Sequence, residues 1–441
     1  MAPIFKKGER YLPGNYRPIS LTSIPCKIME HILVSSILKF CEEENIPCQE
    51  QHGFRRHHSC ESQLIGLVDE VSSDLVNGKE VDALILDFAK AFDKVSHSLL
   101  VHKLAHFGIT GEINRWVKNF LHNRTQAVVL EGATSESVPV ESGVPKGSVL
   151  GPTLFLLYIN DLPKNLTATA RLFADDTLCH RPITSDKDEE SLQEDIDRLA
   201  DWEEKWQMKF HPEKCQCLRF TRKRKNKRKL RTYKLHNHPI SNVQKATYLG
   251  VTLQHDLSWD EHVNKIVTKA NKSLGFLRRN LKVKSKKIKE TAYLSIVRPC
   301  LEYACSVWDP YTEKLIKKLE TVQRRAARWV SSRYRQTSSV EDMISNLQWT
   351  SLKSRRIQAN KNNLFKYANN KLQIYSINKP LRSSIPPRHS SRNNHPLFFN
   401  YPPGAPSYRQ ETFFPRTIKL WNDLPTQAVV SQSLEEFQSL I

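Results

Sequence analysis

The chain has 441 residues, with 67 Lys and Arg against 46 Asp and Glu, a formal net charge of +21 and 39% hydrophobic residues. That length accommodates about two to four domains with buried cores, and the cationic excess points to a polyanionic partner, nucleic acid or an acidic membrane surface. No apolar run approaches the roughly 20 residues of a spanning helix, and the first residues lack a signal peptide's apolar stretch, so no membrane partner is expected.

In chain order, 26 to 44 and 61 to 77 carry apolar residues at helical spacing. The N-terminal region is therefore expected to be helical, with a strongly cationic loop between the two helices over 51 to 59. Residues 81 to 88 read as a buried strand that carries a carboxylate, Asp87, at its end, and 89 to 95 as becoming a helix that runs on through Leu99 and Leu104. Residues 126 to 141 suggest a hairpin with Gly132 at its turn. The glycine- and proline-punctuated loop from Ser142 to Ser148 opens an apolar helix, Val149 to Leu162, that Ser148 is placed to cap.

Further on, 172 to 179 suit a hairpin with an acidic pair at its tip, 189 to 209 an amphipathic helix, and 216 to 220 a strand. The almost wholly cationic run from 222 to 231 fits a solvated loop as well as a nuclear-import signal or a phosphate-contacting tip. Residues 260 to 345 read as basic helices interleaved with Tyr293, Tyr303, Trp308 and Tyr311, and 376 to 410, rich in Pro, Ser, Asn and Arg, as a linker or extended arm.

The nine cysteines, Cys26, Cys41, Cys48, Cys60, Cys179, Cys215, Cys217, Cys300 and Cys305, form no disulfide framework or repeated zinc spacing, which suits a reducing compartment. Cys215 and Cys217, with His211 and His180 as neighbours, are too tightly spaced for a structural zinc site and read as small apolar residues in a strand.

The acidic pair Asp175-Asp176 sits between apolar Phe173-Ala174 and Thr177. Adjacent carboxylates beside buried residues repel each other and resist desolvation unless a cation sits with them. A solvated turn also accommodates such a pair, because Asp favours turns. If the strand ending at Asp87 lies beside this hairpin in one antiparallel sheet, however, three carboxylates meet. Two divalent cations about 3.5–4 Å apart would then activate a hydroxyl and stabilise a leaving phosphate. All-oxygen ligands favour Mg2+ over zinc. Asp93, past the strand end among helix-forming residues, reads as a helix-dipole carboxylate rather than a ligand.

In order, "NYRPISLTS" (15 to 23), "HGFRRHHSC" (52 to 60), "LDFAKAFDKVSH" (86 to 97), "SGVPKGSVLGPTLFLLYINDLP" (142 to 163), "FADDT" (173 to 177), "FHPEKC" (210 to 215) and "YLGVTL" (248 to 253) resemble the successive motifs of a reverse transcriptase. The resemblance is to the non-LTR retrotransposon group, LINE elements of Jockey-like type. Three later segments, "LEYACSVWDPY" (301 to 311), "LETVQRRAARWV" (319 to 330) and "FFPRTIKLWNDLP" (413 to 425), are similar to C-terminal segments of such elements, so the likeness spans nearly the whole chain.

The resemblance implies an α+β right-hand polymerase with a C-terminal extension. Fingers would occupy 1–80, a palm with an antiparallel sheet 81–255 with an interleaved fingers segment at about 100–141, a helical thumb 256–345, and the extension 346–441. It makes Asp87, Asp175 and Asp176 the metal-binding catalytic carboxylates, with two Mg2+ ions or Mn2+ in their place. Phe92 falls at the family's steric gate, where a ring beneath the sugar excludes a 2′-hydroxyl; an ordinary core aromatic is the plainer reading. Arg55 and Arg17, with Lys6 and Lys7, resemble finger residues near the incoming triphosphate, a role suited to guanidinium and ammonium groups. Gly143, Pro145, Gly147 and Ser148 match the loop beside the nascent base pair, where small residues admit close backbone approach.

Two departures stand out. Lys146 occupies a position where many relatives have Gln, and His211 one where Asn is usual. Lys214 matches the lysine that protonates or neutralises the leaving pyrophosphate. Tyr248, Leu249 and Gly250 match the hairpin that grips the primer end. The implied partners are an RNA template, a DNA primer and deoxynucleoside triphosphates. The implied location is the nucleus, with a cytoplasmic ribonucleoprotein stage. Relatives carry an endonuclease domain before the polymerase, so an N-terminally truncated element is expected. The rival readings are a catalytically inactive nucleic-acid-binding remnant and a two-metal nuclease, the latter disfavoured by the motif order.

Overall fold

The computed structural model describes the chain apart from residues 224–228, 336, 377–381, 384–396 and 401–405. It divides into two compact units. The first comprises Met1–Arg56, Asp82–Cys217 and Lys229–Asn242, and the second His57–Val81, Leu218–Arg228 and Val243–Ile441. This partition differs from one cut near residues 80 and 255. Residues 224–228 of the cationic run at 222–231, and most of the arm at 376–410, fall outside the described residues.

Strands β1 (Ala2–Phe5) and β2 (Tyr16–Ile19) form an antiparallel pair that sets Ile4 opposite Arg17. Helix α1 (Ile24–Glu43) follows, capped by Ser23, and buries Val34, Ile37 and Cys41 while Ile24, Ile28 and Ile32 face outward. Helix α2 (Cys60–Val76), in the second unit, opens with a Ser59–Ser62 capping box, which satisfies two of its orphan amides. The buried strand read over 81 to 88 is β3 (Glu80–Leu86), buried along almost its whole length as expected.

The helix expected directly after Asp87 is interrupted. Lys90 takes a left-handed φ of 59° and Ala91–Asp93 form a single 3-10 turn, so α3 begins only at His97 and runs to His106. The cause is tertiary: the turn's backbone is held against the loop at 142–144, where Val144 N donates to Phe92 O (2.8 Å) and Gly143 N to Val95 O (2.8 Å). Helix α4 (Gly111–Leu121) and two short ladders follow. In the inner ladder, Val129–Leu130 pair with Ala133–Thr134 around Glu131 and Gly132, both at positive φ, the turn geometry that Gly132 predicted.

Helix α5 (Leu150–Ile159) is apolar all round and buried. Ser148 supplies a cap, its Oγ accepting from Gly151 N at 2.9 Å. A second cap comes from afar: the buried Glu30 carboxylate of α1 accepts from the amides of Val149 (2.6 Å) and Leu150 (2.9 Å). A carboxylate at a helix N-terminus also meets the positive end of the macrodipole. Replacing Glu30 by Ala should cost about 2–4 kcal/mol in urea unfolding, since two amides lose their acceptor in a dry site.

Hairpin strands β4 (Thr169–Phe173) and β5 (Asp176–Ile183), helix α6 (Asp186–Trp206) and strands β6 (Gln216–Phe220) and β7 (Ser241–Val243) complete the sheet, whose order is β7-β6-β3-β5-β4. Its core includes Leu84, Leu86, Phe155, Tyr158, Leu172, Cys179, Cys215 and Cys217. All nine cysteines are free thiols; burial pushes Cys215 up to about 11 and Cys179 to about 12, which makes them inert packing groups as expected.

In the second unit, β8 (Lys245–Tyr248) and β9 (Val251–Gln254) form a hairpin that leads into α7 (Asp260–Asn280), α8 (Lys286–Ala292) and α9 (Glu313–Val330). Two of the interleaved aromatics, Tyr293 and Trp308, are buried core residues, while Tyr303 and Tyr311 are exposed. The C-terminal segment is built into this unit: Arg409 meets Asp69 of α2 at 2.6 Å, and Ser376 Oγ donates to the same carboxylate at 2.9 Å.

His262 of α7 is a buried acceptor, its Nδ1 receiving Thr252 N at 3.1 Å. Burial, with Lys265 nearby, lowers its pKa from 6.5 to about 4. Below pH 6.5 an unfolded chain gains a proton that the folded one refuses. Stability should therefore fall as pH drops from about 6.5 towards 4, by up to roughly 3 kcal/mol. Urea midpoints measured against pH in the protein and in a His262→Gln variant check this, the variant losing that pH slope.

Candidate active site

Everything that surrounds the acidic pair is delivered by short backbone contacts in the first unit. β4 and β5 pair with Phe173 opposite Asp176, so Ala174 and Asp175 alone form the turn, Ala174 at a φ of 52°. Asp175 thus sits in the turn itself, and Asp176 is the first residue of β5. The turn is clamped by a loop whose role the sequence left unread. Gln51 Oε1 accepts from both Gly53 N (2.8 Å) and Ala174 N (2.9 Å), and His52 N donates to Leu172 O at 2.8 Å. A Cβ on Gly53 would come within 2.4 Å of Ala174 N, so glycine is required there by contact. That glycine in "QHGF" was the available signal.

Asp87 follows the last residue of β3, and its carbonyl accepts from His211 N at 2.7 Å. Its carboxylate faces Lys214 Nζ at 3.0 Å. Asp176 is pushed up to about 6, first by desolvation and then by the charges of Asp175 and Asp87. Asp175 is likewise held above the usual carboxylate range, mainly by desolvation and also by Asp87, while Lys146 and Arg17 pull it down. The three carboxylates are therefore electrostatic neighbours, as the sequence predicted. They do not converge on one point: among the described residues no three His, Cys, Asp or Glu side chains are set to hold a metal ion directly. Like charges separate them, and Asp87 meets Lys214 instead.

The cations come from three segments. Lys6 is lowered by burial and then by Arg17, Lys146 and Lys214, which places four basic groups within electrostatic reach of one another. β2, which carries Arg17, is locked to the 142–148 loop by Ser20 N donating to Lys146 O at 2.6 Å. Gly147 adopts a φ of 111°, and Gly143 a φ of 90° with its virtual Cβ 2.8 Å from the Asp93 backbone. Both glycines are thus fixed by conformation and by contact. Lys146, the departure from Gln, pairs with Asp93 at 2.6 Å. Asp93, expected as a helix-dipole carboxylate, instead ends the 3-10 turn before α3 and serves as the ion-pair partner of Lys146.

Four further expected site residues in the first unit are placed as follows. Arg55 directs Nη1 at the carbonyls of Cys48 (2.7 Å) and Gln51 (3.1 Å), so it braces its own loop. Lys7 is solvent-exposed. Phe92 is half-buried and stacks on Phe155 of α5 with ring centroids 4.3 Å apart. Pro145 receives Ser148 Oγ on its carbonyl at 3.0 Å. In the second unit, Tyr248, Leu249 and Gly250 form the β8–β9 turn with Leu249 and Gly250 at φ 45° and 81°, and Tyr303 Oη donates to Leu249 O at 3.0 Å.

The site is thus a strand-end aspartate beside an Asp-Asp hairpin, with basic side chains on glycine-shaped loops around them. Residues 4–253 match the family model described as reverse transcriptase (RNA-dependent DNA polymerase), and the chain belongs to that family. It is 30% identical over 343 residues to a Drosophila melanogaster protein called probable RNA-directed DNA polymerase from transposon X-element, covering 74% of this chain and 36% of that one. It is 29% identical over 345 residues to the RNA-directed DNA polymerase from mobile element jockey of Drosophila melanogaster, covering 74% and 37%. The corresponding protein from transposon BS of the same fly is 27% identical over 340 residues, covering 72% and 36%. The chain thus spans little more than a third of the length of these relatives. Among solved structures it is similar to apo telomerase from Candida tropicalis, at 11% identity and a TM-score of 0.40, covering 76% of this chain and 53% of that one.

Proposed function

We propose that the chain is an RNA-directed DNA polymerase of a non-LTR retrotransposon, extending a DNA primer on an RNA template. The observation that carries this reading is the electrostatic proximity of Asp87, Asp175 and Asp176 to one another and to Arg17, Lys146, Lys6 and Lys214. In the reaction, the primer 3′-oxygen bonds to the α-phosphorus of a deoxynucleoside triphosphate, the α–β bridging P–O bond breaks, and pyrophosphate leaves as the hydroxyl proton is lost.

All-oxygen donors under mutual repulsion fit hard divalent cations such as Mg2+, and Asp87, Asp175 and Asp176 would hold them. Bound there, such ions supply activation of the 3′-hydroxyl and charge neutralisation at the leaving oxygens. The chain's own groups do the rest. Arg17 and Lys6 offer donors to the triphosphate, and Lys214 neutralises or protonates the departing pyrophosphate once Asp87 is released from it. The loop at 143–148 positions the base pair, with the Lys146–Asp93 pair fixing its approach to α5. The turn at Tyr248–Gly250 grips the primer end, and α7 to α9 form a thumb tracking the backbone. Nuclear residence follows from the basic composition.

Phe92, anchored on Phe155, serves as the sugar gate. Primer extension on an RNA template should proceed with deoxynucleotides and not ribonucleotides, and Phe92→Val should relax that preference by roughly 10–100-fold, as for a lost contact in an apolar pocket. Equal use of ribonucleotides by the unaltered chain contradicts the proposal.

A further inference from the structure

The helical part of the second unit holds an open cavity of about 530 Å³, lined at the end of α7 and the start of α8 by Arg278, Arg279, Lys282 and Lys289 and flanked by Trp329 and Tyr334. Four cations converge on it, and no carboxylate is among its lining residues. Among the described residues none of the four forms an ion pair. Lys289 is only 8% exposed yet donates to a neutral acceptor, Ser332 Oγ, at 2.8 Å. Gathering cations without counter-charge is unfavourable for a free surface and is resolved by a bound anion.

The aromatic groups narrow the ligand. Tyr334 is 56% exposed and lies 5.8 Å from the Arg278 guanidinium, and Lys289 stands 6.0 Å from the Trp329 ring. Gly275 leaves room for Arg279 to fold back, its Nη1 passing 3.3 Å from where a Cβ would be. A phosphate-sized anion alone needs no ring. A ring open to solvent beside guanidinium and ammonium groups matches a π-face joined to a phosphate, which is one nucleotide of a single strand.

We infer that this cavity binds an unpaired nucleotide of single-stranded nucleic acid, its base stacked on Tyr334 and its phosphate held by Arg279, Lys282 and Lys289. The site lies apart in sequence from the aspartates and does not depend on their chemistry. It would hold template that has not yet been copied, or an RNA segment retained between rounds of synthesis.

The test is fluorescence anisotropy of the full chain with a short labelled oligouridylate and, separately, with a blunt RNA–DNA hybrid. Tyr334→Ala is expected to weaken oligouridylate binding roughly fivefold or more, from the stacking lost per base. The Arg279→Ala, Lys282→Ala double variant is expected to weaken it about tenfold and to flatten its salt dependence. Both should leave thermal melting unchanged and weaken hybrid binding less than oligouridylate binding, shifting the ratio of the two affinities by about fivefold or more. A charge-matched control, Lys314→Ala with Lys317→Ala on the exposed face of α9, should alter oligouridylate binding less than about twofold. Equal losses in the control, equal losses on the hybrid, or full displacement of oligouridylate by inorganic tripolyphosphate with Tyr334→Ala silent would each overturn the inference. In the first two cases the cations act as a diffuse field, and in the third the cavity takes a free polyphosphate.

Discussion

Asp176→Asn is expected to make the protein more stable and to destroy its polymerase activity, moving the two properties in opposite directions. The Asp176 carboxyl sits at about 6 because its ionised form is penalised by desolvation and by Asp175 and Asp87. A carboxylate whose folded-state pKa is raised contributes stability below its unfolded value of 3.8 and loses it as pH climbs through 6. At neutral pH the charge is therefore a net cost, and an isosteric amide relieves it. Because the side chain faces solvent on one side, screening reduces the gain to about 1 kcal/mol. In a melt at pH 7 without divalent ions that is a rise of about 2–4 °C. Below pH 4 the two proteins should melt alike. Primer extension, by contrast, should fall by about 10³-fold or more, the scale of losing a preorganised charge at a reacting centre. Magnesium should raise the melting temperature of the unaltered chain and not that of the variant, since only a folded acidic cluster binds it.

Gly147→Ala is expected to leave the chain folded and to cost roughly 10²-fold in extension, through position alone. The residue's φ of 111° is closed to L-residues, and an added Cβ would lie 2.4 Å from Ser20 O and 3.3 Å from Ile19 Cγ2. The clash is with backbone, so the loop must shift. Ser20 ends the segment that carries Arg17, and Lys146 is bound to Ser20 through its carbonyl. One methyl group therefore displaces both cations that face Asp175. Steady-state kinetics should show KM for deoxynucleotide and kcat changing together, with circular dichroism unaltered. Lys146→Gln, which removes the charge and keeps the backbone, should be far milder.

The sequence made much of this arrangement legible, for identifiable reasons. β3 was readable because burial on both faces needs a mostly apolar run, broken here within 81 to 86 by Asp82 alone, which made Asp87 at its end conspicuous. The acidic hairpin was readable because a carboxylate pair interrupts apolar flanks and Asp favours turns. α2 and α6 were plain from periodicity. The start of α3 was not, since a left-handed Lys90 and the grip of the 142–144 loop are tertiary facts that override a helix-forming "AKAFDKV".

Contacts across long sequence separations were equally invisible. Nothing local announces that Glu30 caps a helix 119 residues on, that Gln51 ties down Ala174, or that Asp87 pairs with Lys214. Arg55 shows the converse. Its motif suggested a ligand to phosphate, whereas the carbonyls of Cys48 and Gln51 engage its guanidinium within the loop. Charge alone does not distinguish a ligand-facing arginine from one that braces backbone. Tyr293 and Trp308 make the same point for aromatics, since both lie in the core although they alternate with basic residues.

The most direct test of the central claim is magnesium-dependent extension of a DNA primer annealed to an RNA template, comparing the purified chain with an Asp175→Asn, Asp176→Asn double variant. Extension by the chain and none by the variant, with both binding the primer–template equally, is the predicted result. No extension by either, at undiminished binding, would contradict it and identify the chain as a nucleic-acid-binding remnant of a polymerase.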